Sequence, residues 1–137
     1  MKNQEWQFVN PELSIKLKEL GVKQDSYWCW VFNKGRYEDE NRTYLLENSR
    51  AYNFEKENRC WNAYSVAELG AIFNKIGADM FIKAYGEVFD FKGTQRIGLL
   101  GVMKLMRIPD MSAKMLLYLI ENKLINVEDI NKWTWLK

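Results

Sequence analysis

Hydrophobic side chains recur along the chain with two periods, and the helical period appears first. In "NPELSIKLKELGV", Leu13, Leu17 and Leu20 are spaced to form one apolar face of a helix. Asn10 is a favoured N-cap residue, and Gly21 favours the left-handed turn that ends many helices. The pattern therefore predicts an amphipathic helix that begins after Asn10 and ends at Gly21.

The next segment, "SYWCWVF", is rich in residues that favour strands. In a strand, alternate side chains share a face, so both faces of this segment are apolar and we expect a strand covered on two sides. The two sets are Trp28, Trp30 and Phe32 on one face, and Tyr27, Cys29 and Val31 on the other. "TYLLEN", residues 43–48, is predicted to return as an antiparallel strand. Residues 49–62 show no clean period and are predicted to form a loop.

The segment "YSVAELGAIFNKIG" carries signals for both ends of a helix. Ser65 and Glu68 have the spacing of a capping box, in which each side chain binds the other residue's backbone N–H. Tyr64 and Leu69 have the spacing of the hydrophobic staple that often accompanies the box. Gly77 is predicted to end this helix.

The middle of the chain has a mixed pattern. Residues 80–91, "MFIKAYGEVFDF", favour a hairpin that turns at Gly86, because apolar and polar positions partly alternate. The alternative is a helix with an apolar stripe of Phe81, Tyr85, Val88 and Phe89. Residues 94–106 favour a helix, although two glycines weaken that prediction.

The last third has a clear helical pattern. Pro109 is predicted to break the chain, and Asp110 is predicted to cap a helix with the sequence "MSAKMLLYLIENKL". Asn126 is predicted to begin a short terminal helix. We therefore expect one small α+β domain over residues 1–137, with an antiparallel aromatic hairpin or sheet covered by three to four helices.

Amino-acid composition indicates the class of protein and its cellular compartment. Of the 137 residues, 47% are hydrophobic and 28% are charged, as in an ordinary globular domain. There is no long uncharged apolar run and no apolar run at the N-terminus, so we expect a cytoplasmic protein without membrane contact. Cys29 and Cys60 are the only cysteines, and in a reducing compartment they are expected to be free thiols.

The absence of histidine excludes several kinds of catalytic and metal-binding site. It removes Ser–His and Cys–His nucleophiles, histidine bases and histidine-containing zinc sites. Two cysteines are too few for an all-cysteine zinc site. We therefore predict a non-enzymatic protein with no catalytic residue, no bound metal and no cofactor.

Positive charge is concentrated in one window. Residues 92–109 carry four basic side chains and no acid, whereas the whole chain has a net charge of only +2. The four are candidates for binding an anionic partner such as nucleic acid: Lys92, Arg96, Lys104 and Arg107. A solvated face is the favoured alternative, because four charges make a small footprint.

The aromatic strand allows two interpretations. Trp28, Trp30 and Phe32 could stack on a base or a sugar, as in proteins that bind single-stranded nucleic acids. Such platforms lie beside a basic groove, whereas the loop that follows this strand is acidic at residues 38–40. We therefore favour core packing for these rings.

Three phrases of the sequence resemble a family of small proteins carried by phages, prophages and mobile elements of gut and related bacteria. They are "PELSIKLKELGVKQDSYWCW", "AYSVAELG" and "AKMLLYLIENKLI", and together they cover about a third of the chain. The resemblance implies a phage or mobile-element setting inside a bacterial host. It brings no catalytic residue, ligand or cofactor to any position of this chain.

Our first hypothesis is a protein that binds a host or phage macromolecule, most simply a protein, with inhibition of a bacterial defence system as one form of that role. The first alternative is nucleic-acid binding through residues 92–107. The second alternative is a homo-oligomeric structural protein, since the chain has six Trp, seven Tyr and seven Phe.

Overall fold

A computed structural model describes residues 2–24, 26–32, 43–48, 60–89 and 107–132. In these ranges, five α-helices and one 3₁₀ helix accompany a three-stranded antiparallel sheet, which confirms the predicted α+β class. The helices are the 3₁₀ helix Lys2–Gln7, α1 (Pro11–Glu19), α2 (Val66–Ile76), α3 (Ala78–Val88), α4 (Ile108–Glu121) and α5 (Val127–Lys132). The strands are β1 (Trp28–Phe32), β2 (Tyr44–Asn48) and β3 (Cys60–Asn62).

The aromatic strand β1 lies at the centre of the sheet, in the order β2-β1-β3. Both neighbours run antiparallel to it, and Trp30 stands opposite Leu46 on one side and Trp61 on the other. The predicted return strand over residues 43–48 is therefore confirmed. The loop or irregular segment predicted over residues 49–62 is wrong at its end, because residues 60–62 form β3 against the second edge of β1. The rest of that prediction, residues 49–59, lies outside the described residues.

The two faces of β1 contact different apolar clusters, as its alternating pattern predicts. Trp30 packs with Phe8, Leu46 and Ala63 on one face. Cys29, Val31 and Cys60 lie together on the other face. These clusters cover both faces of β1, as its two apolar sets predict.

Helix α1 has the ends that its sequence predicts. The side chain of Asn10 accepts a hydrogen bond of 2.8 Å from the first turn. At the other end Gly21 has a φ of 88°, a conformation that suits glycine. The N–H of Gly21 binds the Lys18 carbonyl and the N–H of Val22 binds the Leu17 carbonyl, which is the Schellman arrangement.

Helix α2 also has its predicted ends. The Glu68 N–H donates to Ser65 Oγ at 3.2 Å, and the Ser65 N–H donates to Glu68 Oε1 at 3.0 Å, so the capping box is present. Tyr64 and Leu69, the predicted staple, are both buried in the principal core. Gly77, with a φ of 102°, separates α2 from α3.

The hairpin predicted over residues 80–91 is wrong, because residues 78–88 form helix α3. The packing agrees with the alternative prediction, a helix with an apolar stripe, and not with a strand of alternating apolar and polar positions. The Phe81 ring lies 5.3 Å from Phe73 of α2, and Ala84 is fully buried. As a helix, α3 packs on both α2 and α4. The stability from this packing outweighs the weak helix propensity of Gly86. The helix predicted over residues 94–106 lies outside the described residues.

Helix α4 begins at Ile108, three residues before the predicted segment that starts at Met111. Pro109 lies in the first turn, where its missing N–H removes no helical hydrogen bond. The prediction that Asp110 caps this helix is wrong. Asp110 Oδ1 instead accepts the N–H of Asn10 at 2.7 Å, which joins the starts of α1 and α4.

The principal core lies among the helices, and α4 is at its centre, packed against α1, α2 and α3. Its fully buried side chains include Leu17, Tyr64, Leu69, Ile72, Met115, Leu116, Leu119 and Ile130. The terminal helix α5 follows Asn126, whose side chain accepts the Glu128 N–H at 2.9 Å, so the predicted terminal helix is confirmed.

A polar network joins β3 to the end of α1. The Asn62 N–H donates to Gln24 Oε1 at 2.9 Å, and its side-chain amide donates to the Lys23 carbonyl at 3.3 Å. The Tyr64 hydroxyl also donates to that carbonyl. The Lys23 N–H donates in turn to Asn131 Oδ1 of α5 at 2.7 Å. These hydrogen bonds, most of them partly buried, join the sheet to α1 and α5.

Candidate functional site

Of the four basic candidates, the described residues include only Arg107; Lys92, Arg96 and Lys104 lie outside them. Arg107 precedes α4 and binds within the molecule. Its Nε is 3.0 Å from Asp110 Oδ2, and its Nη1 donates to the Glu5 carbonyl at 2.8 Å. Arg107 therefore holds the N-terminal 3₁₀ helix against the start of α4. The shared patch of four basic residues stays a prediction.

The three aromatic candidates differ in their surroundings. Trp30 is 3% exposed, and its indole N–H donates to the Val9 carbonyl at 2.7 Å. Trp28 is half-buried, with its ring 6.0 Å from Phe8. Phe32 is the most exposed of the three and lies edge-on to Tyr44. The face thus runs from a buried ring at its centre to a partly open ring at the end of β1.

A groove with a mainly apolar lining lies elsewhere in the described part of the chain, between the 3₁₀ helix and the starts of α2 and α4. This groove has a volume of about 620 Å³. We call it the Trp6 groove. Its lining residues are Trp6, Gln7, Ser65, Val66, Ala67, Arg107 and Ile108.

Three segments that are distant in sequence build the groove. Phe8 and Ser65 form an antiparallel bridge, and the Val9 N–H donates to the Tyr64 carbonyl at 2.9 Å. These bonds place the 3₁₀ helix beside the start of α2. The bond from Arg107 to the Glu5 carbonyl places the same helix beside the start of α4. The groove is therefore a product of the tertiary fold, with a wall from each segment.

Large apolar side chains in the groove are open to solvent. Trp6 is 61% exposed, Ile108 43% and Val66 36%. Val66 extends the apolar stripe of α2 by one turn beyond the core, and Ile108 does the same for α4. Exposed apolar side chains that share one concave surface commonly mark a binding site.

Charge is distributed unevenly around the groove. Within the part of the chain that the structure describes, Arg107 is the charged residue of the lining. Two acids lie close to the starts of the helices, but both are buried and bound inward. Glu68 Oε1 accepts from the Ser26 hydroxyl and the Ser65 N–H, and Asp110 binds Arg107 and the Asn10 N–H. Of the described residues that line the groove, one is a cation and none is an acid.

No pattern in the sequence predicts this groove. Its apolar members are single large residues in otherwise polar surroundings or at helix starts, and no local motif connects them. The available signal was that the stripes of α2 and α4 each continue to the first helical residue, Val66 and Ile108. Which of these positions would be left uncovered depends on where the 3₁₀ helix lies.

The two cysteines are free thiols and are fully buried on neighbouring strands. Burial, with Cys60 and Glu47 close by, raises the pKa of the Cys29 thiol to about 12. The thiolate is the reactive form of cysteine, so Cys29 has little nucleophilic character in the folded protein.

Within the described ranges, no group of three or more Cys, Asp or Glu side chains is arranged to hold a metal ion. Within the same residues, no helix is both long and apolar enough to cross a membrane. Neither a protein-family model nor a curated protein or solved structure matches the chain.

Proposed function

We propose that this chain is a non-enzymatic binding protein and that the Trp6 groove is its recognition surface for a macromolecular partner. The exposure of Trp6, Val66 and Ile108 around one groove supports this proposal most directly. Exposing three large apolar side chains is unfavourable in water, and a partner that covers them would recover that free energy. Trp is also the residue type most often found among binding hot spots.

The sequence resemblance supports a setting for this role. Small proteins of phages and mobile elements commonly act by binding a component of the host or of the phage. We therefore propose that the partner is a protein of the bacterial host or of the phage, and that inhibition of a defence system is one outcome of its capture.

The test is affinity capture from a bacterial lysate by the full chain and two variants. Trp6→Ala removes the most exposed ring of the groove, and Ile82→Ala is the matched control. Ile82 is 67% exposed on α3 and does not line the groove. We expect Trp6→Ala to lose the captured partner at least tenfold relative to the control, with both variants folded by circular dichroism.

Other results of the same experiment would overturn the proposal. Equal capture by the two variants would show that recognition lies outside the groove. Capture that disappears with nuclease and with Lys92, Arg96 and Lys104 changed to Gln would favour the nucleic-acid alternative. Recovery of the chain alone, as an oligomer in light scattering, would favour the homo-oligomeric alternative.

A further inference from the structure

The chemistry of the Trp6 groove restricts what can fill it. One wall is apolar, formed by Trp6, Val66 and Ile108. The polar side chains of the lining come from Gln7, Ser65 and Arg107, and the charged one is a cation. A ligand with a large apolar group beside a negative charge would match both parts of the surface.

Arg107 has donors left for such a ligand. A guanidinium carries five N–H groups. Three of its contacts in the described part of the chain are internal: Nε and Nη2 with Asp110, and Nη1 with the Glu5 carbonyl. One N–H on each terminal nitrogen is not used by these contacts, and the side chain is 37% exposed. The Arg107 guanidinium can therefore bind an oxygen atom of a ligand while it stays bound to Asp110.

The backbone contributes in the same direction. Helices α2 and α4 begin at Val66 and Ile108, and both residues line the groove. The start of a helix carries a partial positive charge. Each of these helices also carries a buried acid in its first turn, Glu68 or Asp110, which offsets part of that charge. The attraction for an anion therefore depends mainly on the two unused N–H groups of Arg107.

We propose that the Trp6 groove binds the carboxyl-terminal residue of a partner protein, with its apolar side chain against Trp6 and Ile108 and its carboxylate toward Arg107. A chain terminus fits because one residue supplies both the apolar group and the charge. This inference rests on the proposed function, since it names the part of the partner that the groove recognises.

The test uses two small probes that differ only in charge. N-acetyl-L-leucine carries the carboxylate of a terminal leucine, and N-acetyl-L-leucinamide represents a leucine inside a chain. Each is titrated into the ¹⁵N-labelled full chain and followed by NMR. We expect both to shift the Trp6 indole and the Val66 and Ala67 amide signals, with the carboxylate probe binding about three- to tenfold more tightly. That preference should weaken as salt is added.

A pair of variants separates charge from shape. Val66→Asp places a carboxylate in the lining, and Val66→Asn places a neutral group of the same size. An acidic residue is favourable at a helix start, so the Asp variant is expected to fold. We expect Val66→Asp, compared with Val66→Asn, to remove the preference for the carboxylate probe and to leave binding of the amide probe unchanged.

Three outcomes would overturn the inference: equal affinity for the two probes, signal shifts outside the groove only, or no binding by either probe. Its failure is distinguishable from failure of the proposed function. If Trp6→Ala loses the captured partner while the probes show no charge preference, the groove recognises a partner by some other chemistry. If the probes behave as expected but no partner depends on Trp6, the groove is a carboxylate site without the proposed role.

Discussion

Adjacent residues of β1 show how strongly burial on one face or the other decides a side chain's properties. Trp30 has its indole N–H bound to the Val9 carbonyl, so its only polar group is satisfied inside the core. Cys29, the preceding residue, points to the opposite face and lies against Cys60 and Val31. Its thiol is therefore kept in the protonated form, and this has a consequence for stability.

Stability should fall above pH 9 because of Cys29. Its pKa is about 12 in the folded protein against an ordinary value of 9.0. The unfolded chain loses this proton first as pH rises, so the stabilising effect is complete below pH 9 and is lost between pH 9 and 12. The expected slope is about 1.4 kcal/mol per pH unit. Urea unfolding at pH 8, 9 and 10, compared with Cys29→Ala, measures it.

The variant supplies the control for this prediction, because every other group that titrates in this range is the same in both proteins. The two stability curves should diverge as pH rises, with the unmodified protein losing more. Parallel curves would show that the Cys29 thiol ionises in the folded state as readily as in the unfolded chain.

At the scale of elements, the ends of α1 and α2 were readily predicted, whereas the start of α4 was not. Asn10, Gly21 and the pair Ser65 and Glu68 act on backbone groups within a few residues, so the sequence contains the whole interaction. Strand β3 was missed because three residues carry little pattern, and its pairing with β1 depends on contacts about thirty residues away in the chain. Helix α3 was misassigned because its apolar residues fit both periods and its neighbours decide between them.

The candidate site was less predictable than the fold. Arg107 was predicted from charge alone, and its bond to the Glu5 carbonyl depends on residues that are 102 positions apart. Trp6, Val66 and Ile108 meet only when the 3₁₀ helix lies across two helix starts. A surface assembled from such distant segments leaves no mark in any one window of the sequence.

The capping box of α2 provides a test at this scale. Ser65→Ala removes the oxygen that accepts the Glu68 N–H, so the free energy of unfolding should fall by about 1 kcal/mol. Ser112→Ala is the matched control, because Ser112 lies inside α4, where alanine is the better helix former. Urea unfolding of both variants measures the difference. An equal effect of the two substitutions would contradict a capping role for Ser65.

In the whole molecule, the first and last thirds of the chain are bound to each other. Asn10 is joined to Asp110, the Glu5 carbonyl to Arg107, and Lys23 to Asn131. Leu13 and Leu17 of α1 share the principal core with residues of α4 and α5. Asp110 is central to this arrangement, because one buried carboxylate binds both the start of α1 and the guanidinium that holds the 3₁₀ helix.

Asp110→Asn should therefore destabilise the whole protein. The substitution keeps the shape and one acceptor but removes the charge that binds Arg107 and the Asn10 N–H. We expect the free energy of unfolding to fall by about 1–3 kcal/mol. Urea unfolding measures it, with Glu121→Gln on the exposed end of α4 as the control, for which the change should stay within about 0.5 kcal/mol. A change of similar size in both variants would rule out a central role for Asp110.

The contacts between the first and last thirds of the chain also constrain when the core can form during translation. A ribosome releases α1 before it has made α4 and α5, yet Leu13 and Leu17 share a core with residues of those last helices. The apolar face of α1 can therefore be only partly covered by the segments made before α4. The principal core is completed only after α4 and α5 have left the ribosome.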